Sequence, residues 1–343
     1  MKKPCWLLFF LVLIFSLYAQ EDAIIDPDTD TPPSGIFPIG LLLDAAEYTS
    51  KGTWQPDWPS DFPQDAFLIS DDRISSVTVF NQEISLELSW LNGNLTAFPW
   101  YYNGSFFQVN FDYVFVENDD KPFIKSIILS APNAVFISAL TIIEIADIQV
   151  LEYFDGAPYL LRIYTGGNYY FAYLQWGTGI LYESWFDSEG NFLEQFEYDF
   201  LNVEELNIIS RKTIFSSNET LSRSFDSRIL ITEINSSQGF FSVNYFIDIL
   251  PRYWRRESNI SSQDIFSFQW DNNNLLIRLA SYISTIDDNF QSAVLSSDSI
   301  YEYLIDERGN WTERRETIMT GGSGLMVPGP GVSYIRHIRY MDE

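Results

Sequence analysis

The amino-acid sequence predicts an all-β fold: a large antiparallel meander built from hairpins, preceded by a Pro-rich N-terminal segment. The turn formula Asp-x-x-Gly-Asn-aromatic-x-Glu occurs at residues 187–194 and again at 306–313. Apolar and polar residues alternate over 107–115, which is the period of a half-buried strand. Aromatic residues make up 17% of the chain, which is too many for a disordered protein. The meander can form an open or strongly curved sheet, or two packed sheets.

Each position of the turn formula has a role in a tight hairpin. The leading Asp can accept hydrogen bonds from the amides of a type I turn, and the Gly that follows supplies a positive φ. The aromatic residue then opens the returning strand. We therefore predict six turn-forming residues, namely Asp187, Gly190, Asn191, Asp306, Gly309 and Asn310.

Residues 1–20 have the pattern of a signal peptide. Lys2 and Lys3 precede an apolar run over 6–17, and Ala19 is a small residue suited to cleavage at Ala19 or Gln20. The run is shorter than the ~20 residues of a membrane-spanning helix, so we expect no stable membrane span after cleavage; an uncleaved anchor is the alternative. Cys5 is the only cysteine, which leaves the mature chain without disulfides. The predicted location is periplasmic or extracellular, and association with the outer envelope is compatible with either.

Residues 21–64 form an acidic, Pro-rich segment with seven of the fifteen prolines of the chain. Residues 26–35 are predicted to be an extended tether. A short helix is predicted over 36–48. Trp54, Trp58 and Phe62 interleave with prolines, and this stretch is expected to cover an edge or a face of the sheet.

Residues 65–343 are predicted to form the antiparallel β domain, with a possible subdivision near 201–220. Residues 159–200 should form a four-strand meander, since Gly-containing tight turns separate short apolar runs. The stretch 134–150 fits neither the strand nor the helix period well; we favour a strand, with a helix as the alternative. The other predicted strands span 74–80, 84–91, 107–115, 123–129, 228–234, 240–249, 265–270, 275–283, 300–305, 311–319 and 333–340.

A second, weaker repeat relates residues 90–95 to residues 270–275 through the pattern Trp-x-x-(Gly or Asn)-Asn-Leu. The segment 186–192, Phe-Asp-Ser-Glu-Gly-Asn-Phe, resembles the tyrosine-aspartate repeats of the Rhs type, whose units read Tyr-Asp-x-x-Gly-Arg-Leu. Residues 301–303 together with 306–311 are similar to the same unit. The resemblance implies a hairpin-built sheet wall of an exported protein and brings no catalytic residues.

The chemistry available to the chain is limited by its single histidine, His337, and by the lack of cysteine in the mature chain. These counts exclude Cys-His catalytic pairs and His-rich metal sites, and no Gly-x-Ser-x-Gly motif supports a serine hydrolase. We expect a structural or surface role for His337, and we predict no catalytic, cofactor-binding or metal-binding residues. A glycan-active enzyme needs only two carboxylates, and the candidates for that alternative are Glu183, Asp187, Glu194, Glu197 and Asp199.

The formal charge of −27 argues against nucleic acid as a partner, because such binding requires Lys and Arg to replace phosphate counterions. A basic cluster follows Pro251 and is predicted to lie in a loop, where it would either contact a partner or neutralise the acidic surface. Trp185 is predicted to be an exposed aromatic suited to stacking on sugars. The possible ligand or partner surface comprises Trp185, Arg252, Trp254, Arg255 and Arg256.

These observations predict an exported, non-enzymatic cell-envelope protein that binds or scaffolds an unknown protein or glycan. One alternative is an outer-membrane β-barrel, although the chain ends in Met-Asp-Glu and the strand at 169–176 is apolar on both faces. The other alternative is a carbohydrate-binding or carboxylate-dependent glycan-active protein.

Overall fold

The computed structural model describes residues 36–50, 52, 58, 63–67, 74–81, 84–102, 105–115, 122–132, 144–203, 206–214, 220–225, 230–236, 239–247, 250–257, 262–285, 293–322, 325–329 and 331–341. The predicted signal peptide and tether lie outside these residues. Within these described residues, one α-helix, α1, spans Ile39–Ser50, and a short 3-10 helix spans Gln64–Phe67. The strands are β1 Ile74–Phe80, β2 Ser85–Leu91, β3 Asn94–Tyr102, β4 Ser105–Val114, β5 Phe123–Ser130, β6 Glu144–Phe154, β7 Ala157–Thr165, β8 Asn168–Gly177, β9 Ile180–Asp187, β10 Phe192–Val203, β11 Leu206–Ile214, β12 Thr220–Phe225, β13 Ile231–Ser236, β14 Gly239–Ile247, β15 Leu250–Glu257, β16 Ser262–Trp270, β17 Leu276–Thr285, β18 Val294–Ile305, β19 Trp311–Gly322, β20 Leu325–Pro328 and β21 Val332–Tyr340.

The strands form one antiparallel meander, which confirms the predicted fold class. Each strand from β1 to β19 pairs with the next one along the chain. β20 pairs with β19, and β21 pairs with β19 through Glu313 and Ile335. β21 also pairs with β1, where Val77 lies opposite Ile338. The succession of paired strands therefore returns to the strand at which it began.

Alternation along each strand gives the sheet one buried and one more accessible face. In β9, Leu181, Glu183 and Trp185 are buried, whereas Tyr182 and Ser184 between them are only half-buried. This is the period-two geometry of a pleated strand. We call the face of Leu181 the inner face and the face of Ser184 the outer face.

The predicted turns are present with the expected geometry. Asp187 Oδ1 accepts hydrogen bonds from the amides of Glu189 and Asn191, both at 2.8 Å, and Gly190 has a φ of 87°. Asp306 Oδ1 accepts from the amides of residues 308 and 310 at 2.9 and 2.8 Å, and Gly309 has a φ of 86°.

Both members of the second repeat lie at hairpins, but their turns are of different kinds. Asp271 Oδ1 accepts from the amides of Asn273 and Leu275, both at 2.8 Å, and Asn274 has a φ of 61°. This is a third copy of the Asp-capped turn, with Asn where the other two have Gly. The hairpin after Trp90 is of another kind, because two adjacent residues, Asn92 and Gly93, have positive φ values of 51° and 79°.

Helix α1 is buried on nearly all sides, and it packs against β3, β9 and β11. Its apolar residues Ile39, Leu42 and Ala45 belong to a core cluster that includes inner-face residues of β1 to β11. A helix without a continuous polar face is stable only where it is buried. Its sequence, rich in Leu and Ala around Gly40, fits that position.

Helix α1 begins three residues later than predicted, because Pro38 precedes the first helical residue. It also ends two residues later than predicted.

Trp58 is buried, and the centroid of its ring lies 5.2 Å from that of Phe106, as expected of a covering segment. Trp54 and Phe62 lie outside the described residues. Within 134–150, a strand is present from Glu144 onward, and 133–143 lie outside the described part of the chain.

Candidate functional site

The prediction that Trp185 is an exposed aromatic is wrong. Trp185 is fully buried on the inner face, where its ring contacts those of Phe37 and Tyr170 at centroid distances of 5.6 and 6.1 Å. Strand alternation places it beside Leu181 and Glu183 rather than beside the residues of the outer face. A ligand at the surface therefore cannot stack on Trp185.

The prediction that the basic cluster lies in a loop is also wrong. Arg252, Trp254, Arg255 and Arg256 lie in β15, which pairs with both β14 and β16. The loop was predicted because Pro251 precedes the cluster. Proline is compatible with the strand here, because it occupies the second position of β15, next to a register shift in β14, where a missing amide is tolerated. The side chains of the cluster lie outside the described part of the structure.

Glu183 is a buried carboxylate with four hydrogen-bond donors. Its oxygens accept from the amides of Ile39 and Gly40 at 2.9 Å each, from Trp185 Nε1 at 2.6 Å and from Tyr198 Oη at 2.6 Å. Burial raises the pKa of the Glu183 carboxyl above its ordinary value, although these donors oppose the rise. The Glu183 carboxylate, which lies on β9, thereby caps the first amides of α1.

A second buried carboxylate, Asp44, ties the middle of α1 to the sheet. It accepts from the amide of Ile209 at 2.9 Å and forms an ion pair with Arg223. Burial raises the pKa of the Asp44 carboxyl, and the guanidinium of Arg223 opposes that rise. The guanidinium also lies 5.6 Å from the centroid of the Tyr48 ring. Both carboxylates therefore position the helix.

The remaining carboxylate candidates have different environments. Asp187 is occupied by its turn, where the Asn191 side chain and amide hold the pKa of its carboxyl below its ordinary value. Glu194 is buried and accepts from the amide of Gln195, while Glu197 and Asp199 lie half-buried on the outer face. Among the described residues, no group of three or more His, Cys, Asp or Glu side chains is arranged to hold a metal ion.

The outer face of β6 to β10 carries a continuous line of aromatic rings, which we call the aromatic row. Its members are Phe154, Tyr159, Tyr173, Phe186 and Phe192. Successive ring centroids are 6.3, 5.9, 5.6 and 5.8 Å apart, and successive planes are turned by 50 to 89°. The rings therefore pack against one another in tilted or edge-to-face contacts and form one continuous aromatic strip.

Strand register sets the course of the aromatic row. Phe192 lies directly opposite Phe186, and Tyr173 lies opposite Ser184, two residues from Phe186 in the same strand. The row thus runs diagonally from the β6–β7 hairpin to the β9–β10 hairpin. Its end members are the most accessible, with Phe154 65% and Phe192 51% exposed.

Uncharged polar groups lie alongside the aromatic row, and acids lie at its ends. Ser184 is opposite both Tyr173 and Gln195, so a hydroxyl and an amide share the face of the central rings. The exposed acids Glu152 and Asp155 flank one end of the row, and Asp187 and Glu189 lie in the turn at the other.

A separate cavity of about 420 Å³ lies along β18, β19 and β21. Its lining includes His337, whose exposed ring meets Phe80 edge-on with centroids 4.9 Å apart. Asp306 and Glu313 also line it, but Asp306 caps its turn and Glu313 forms an ion pair with Arg315. The position of His337 agrees with the surface role expected of it.

Sequence reasoning identified only part of the aromatic row. Phe186 and Phe192 belong to the repeat motif, but Phe154, Tyr159 and Tyr173 were not singled out. Their proximity depends on the pairing of five strands and on register shifts in β6 and β10. The turn motifs fix the register at one hairpin, and this signal could have linked Phe186 to Phe192.

No family model matches the sequence, and no curated protein matches it either. Three solved structures are similar in fold at low TM-scores. A porin-like protein from Bacteroides uniformis has a TM-score of 0.32 and 11% identity, with 78% of this chain and 98% of that chain covered. A porin-like protein from Bacteroides vulgatus has a TM-score of 0.23 and 10% identity, covering 79% and 99%. The TcdB2-TccC3-Cdc42 complex has a TM-score of 0.30 and 9% identity, covering 72% and 16%.

Similarities at this level carry no argument about function. Separately, no helix among the described residues is long and apolar enough to cross a membrane.

Proposed function

We propose that this chain is an exported, non-enzymatic cell-envelope protein that binds a partner through the aromatic row. The observation that carries the proposal is the row itself, a contiguous line of aromatic rings that is half-buried at its centre and exposed at both ends, since contiguous apolar surface on a folded protein marks interaction sites. The signal-peptide pattern of residues 1–20 supports export.

The buried ionisable groups support a binding role over a catalytic one. Glu183 and Asp44 have their oxygens engaged by the amides of α1 and β11 and by neighbouring side chains. Their raised pKa values follow from burial in a structural core, which accounts for them without a reaction. The row, by contrast, lies on the outer face of strands that are hydrogen-bonded on both sides, and such a rigid surface suits recognition.

The outer-membrane barrel is the second candidate, and the return of strand pairing to β1 favours it. Such a barrel places apolar side chains toward lipid, where a charge at mid-depth costs about 2–4 kcal/mol. Here Lys125 of β5 forms an ion pair with Asp112 of β4 through exposed side chains, and Arg278 of β17 forms a partly buried ion pair with Asp298 of β18. The inner face is filled by an apolar core and a helix. These features support the envelope binding protein over the barrel.

Fractionation of the full-length chain with a C-terminal tag tests the proposal. We expect the tagged protein outside the cytoplasm, with its N-terminus at residue 20 or 21 by mass spectrometry, and released without detergent. A requirement for detergent would favour the barrel. Retention in the cytoplasm with residues 1–20 intact, or robust turnover of glycan, ester or peptide substrates, would contradict the proposal.

A further inference from the structure

We propose that the aromatic row binds an uncharged glycan chain. This inference rests on the proposed function and names the class of ligand for the same surface. The row has the two properties that sugar recognition requires: ring faces that stack against the C–H faces of sugars, and polar groups beside them that hydrogen-bond hydroxyls.

The spacing of the row fits a linear polymer rather than a single small ligand. Five rings lie at intervals of 5.6 to 6.3 Å along a diagonal that crosses five strands. Neighbouring rings are therefore separated by about the length of one hexose unit. A single monosaccharide would contact one or two of them, and only an extended chain can engage the whole row.

Neutral hydrogen-bonding groups lie where such a chain would pass. Ser184 and Gln195 lie beside Tyr173 and Phe186 on the outer face. On the other side, Arg162 donates to Gln149, and Gln149 donates to Asp147 at 3.2 Å. The Arg162 guanidinium thus has an amide partner, and a hydroxyl and an amide lie beside the central rings.

Charge decides between an uncharged and an anionic polymer. All five members of the row are uncharged, and both ends are flanked by acids, Glu152 and Asp155 at one and Asp187 and Glu189 at the other. The whole chain carries −27. Phosphorylated or carboxylated glycans would be repelled at both ends of the row, whereas a neutral chain would not.

The test measures binding of the purified mature chain to soluble neutral oligosaccharides (gluco-, xylo-, manno- and N-acetylated chito-series) and to oligogalacturonate and heparin by calorimetry. We expect at least one neutral series to bind, with affinity that increases with chain length, and no binding of the anionic polymers. Tyr173→Ala should weaken binding by about tenfold, which corresponds to about 1.4 kcal/mol, because it removes a central ring of the row.

Tyr169→Ala is the matched control, since Tyr169 is an exposed tyrosine of the same strand that contacts Tyr164 outside the row. It should leave the affinity within about twofold of that of the unmodified chain. Phe192→Ala provides a second test at an exposed end of the row, where loss of folding is not expected.

Equal binding by Tyr173→Ala and Tyr169→Ala, preference for the anionic polymers, or no binding of any neutral series would overturn the glycan assignment. If the chain is nevertheless exported and captured by envelope protein through the row, the proposed function stands and the ligand class is wrong. If the chain is cytoplasmic, the proposed function fails independently of the sugar result.

Discussion

Glu183 illustrates how a single carboxylate can connect distant parts of this chain. It accepts hydrogen bonds from the first two amides of α1, more than 140 residues away in sequence, and from Trp185 and Tyr198. Leaving a buried donor without a partner costs about 1–3 kcal/mol, so four donors make this carboxyl difficult to replace. Asp44 has an equivalent role further along the helix.

The raised pKa of Glu183 predicts a specific dependence of stability on pH. In the unfolded chain the carboxyl ionises at its ordinary value of 4.5, whereas burial raises the folded value above that. The folded state therefore holds the proton more tightly, so this contribution to stability is complete below 4.5 and is lost as pH rises through the folded pKa. Urea unfolding of the unmodified chain and of Glu183→Gln between about pH 4 and about pH 8 measures this contribution.

We expect the stability of the unmodified chain relative to Glu183→Gln to decrease as pH rises from 4.5. Ser50→Ala, which changes no ionisable group at an exposed position, is the control, and its difference in stability from the unmodified chain should not vary with pH. A flat difference for Glu183→Gln, or one that increases with pH, would show that the carboxyl is not held in the environment described.

The Asp-capped turns permit a second test at the level of one residue. Gly190 has a φ of 87° with no atom within 4 Å of where a Cβ would lie, so Gly190→Ala changes only backbone strain. We expect a loss of about 1–2 kcal/mol in the free energy of unfolding. Asn274→Gly, at a φ of 61° in the equivalent turn, should be neutral to within about 0.5 kcal/mol or slightly stabilising. Comparable losses for both variants would contradict the shared turn geometry.

Residue-level prediction from the sequence succeeded where the cause is local. The turn at Asp187 follows from the hydrogen bonds that an Asp can make to amides two and four residues ahead, and these need no tertiary structure. It failed for Trp185, because no local property distinguishes the inner face of β9 from its outer face. The face is selected by packing against Phe37 and Tyr170, which are distant in sequence.

At the scale of elements, α1 is the part of the fold that the sheet most tightly constrains. Gly40 lies against the ring of Tyr198, and a Cβ built on Gly40 would lie 2.6 Å from two atoms of that ring. The ring is buried and its hydroxyl donates to Glu183, so it has little freedom to move away. A glycine in a helix is therefore required here by close approach.

The contact between Gly40 and Tyr198 predicts that alanine at position 40 destabilises the chain, whereas helix propensity alone predicts that it stabilises the helix. Alanine normally favours a helix over glycine by about 1 kcal/mol. We expect Gly40→Ala to destabilise the chain by about 1–3 kcal/mol in urea unfolding, because the added methyl group overlaps the Tyr198 ring. Ser50→Ala, at the exposed end of α1, should change stability by less than about 0.5 kcal/mol. A stabilising Gly40→Ala would mean that α1 does not lie against β10.

The sequence predicted most elements but missed those without a regular pattern. β3, β11, β12, β15 and β20 were not predicted as strands. Pro99 lies within β3 and Pro251 within β15, and a proline in a sequence argues against a central strand. β12 has few large apolar residues. The strand conformation of β3, β11, β12 and β15 is imposed by neighbours that supply hydrogen bonds on both sides, and that of β20 by β19 alone; such neighbours are absent from a local reading. The possible subdivision near 201–220 stays a prediction.

At the scale of the molecule, the pairing of β21 with β1 joins strands that are some 260 residues apart in sequence. Ile338 lies opposite Val77 in this ladder. A proline within a β-ladder removes a hydrogen bond and is found essentially only in edge strands or at bulges. Ile338→Pro should therefore accelerate amide exchange in β1 as well as in β21, as measured by hydrogen–deuterium exchange.

Ile335→Ser is the control for this experiment, because Ile335 is on the accessible face of the same strand and the substitution keeps its amide. It should leave the exchange of β1 unchanged. If Ile338→Pro affects β21 alone, the two strands do not pair in solution.

The whole molecule places its apolar core and α1 on the inner face of the sheet and its aromatic row on the outer face. The repeat motif 187–194 connects these features, since it caps the β9–β10 hairpin and sets Phe192 opposite Phe186. We propose that the aromatic row is the binding surface of an exported protein.

Co-sedimentation of the purified mature chain with insoluble envelope material from its source cells tests whether the aromatic row is the binding surface. We expect the unmodified chain and Tyr169→Ala to sediment, and a Tyr173→Ala/Phe192→Ala double variant with unchanged near-ultraviolet circular dichroism to remain in the supernatant. Equal sedimentation of the folded double variant and the unmodified chain, or no sedimentation of either, would contradict the claim.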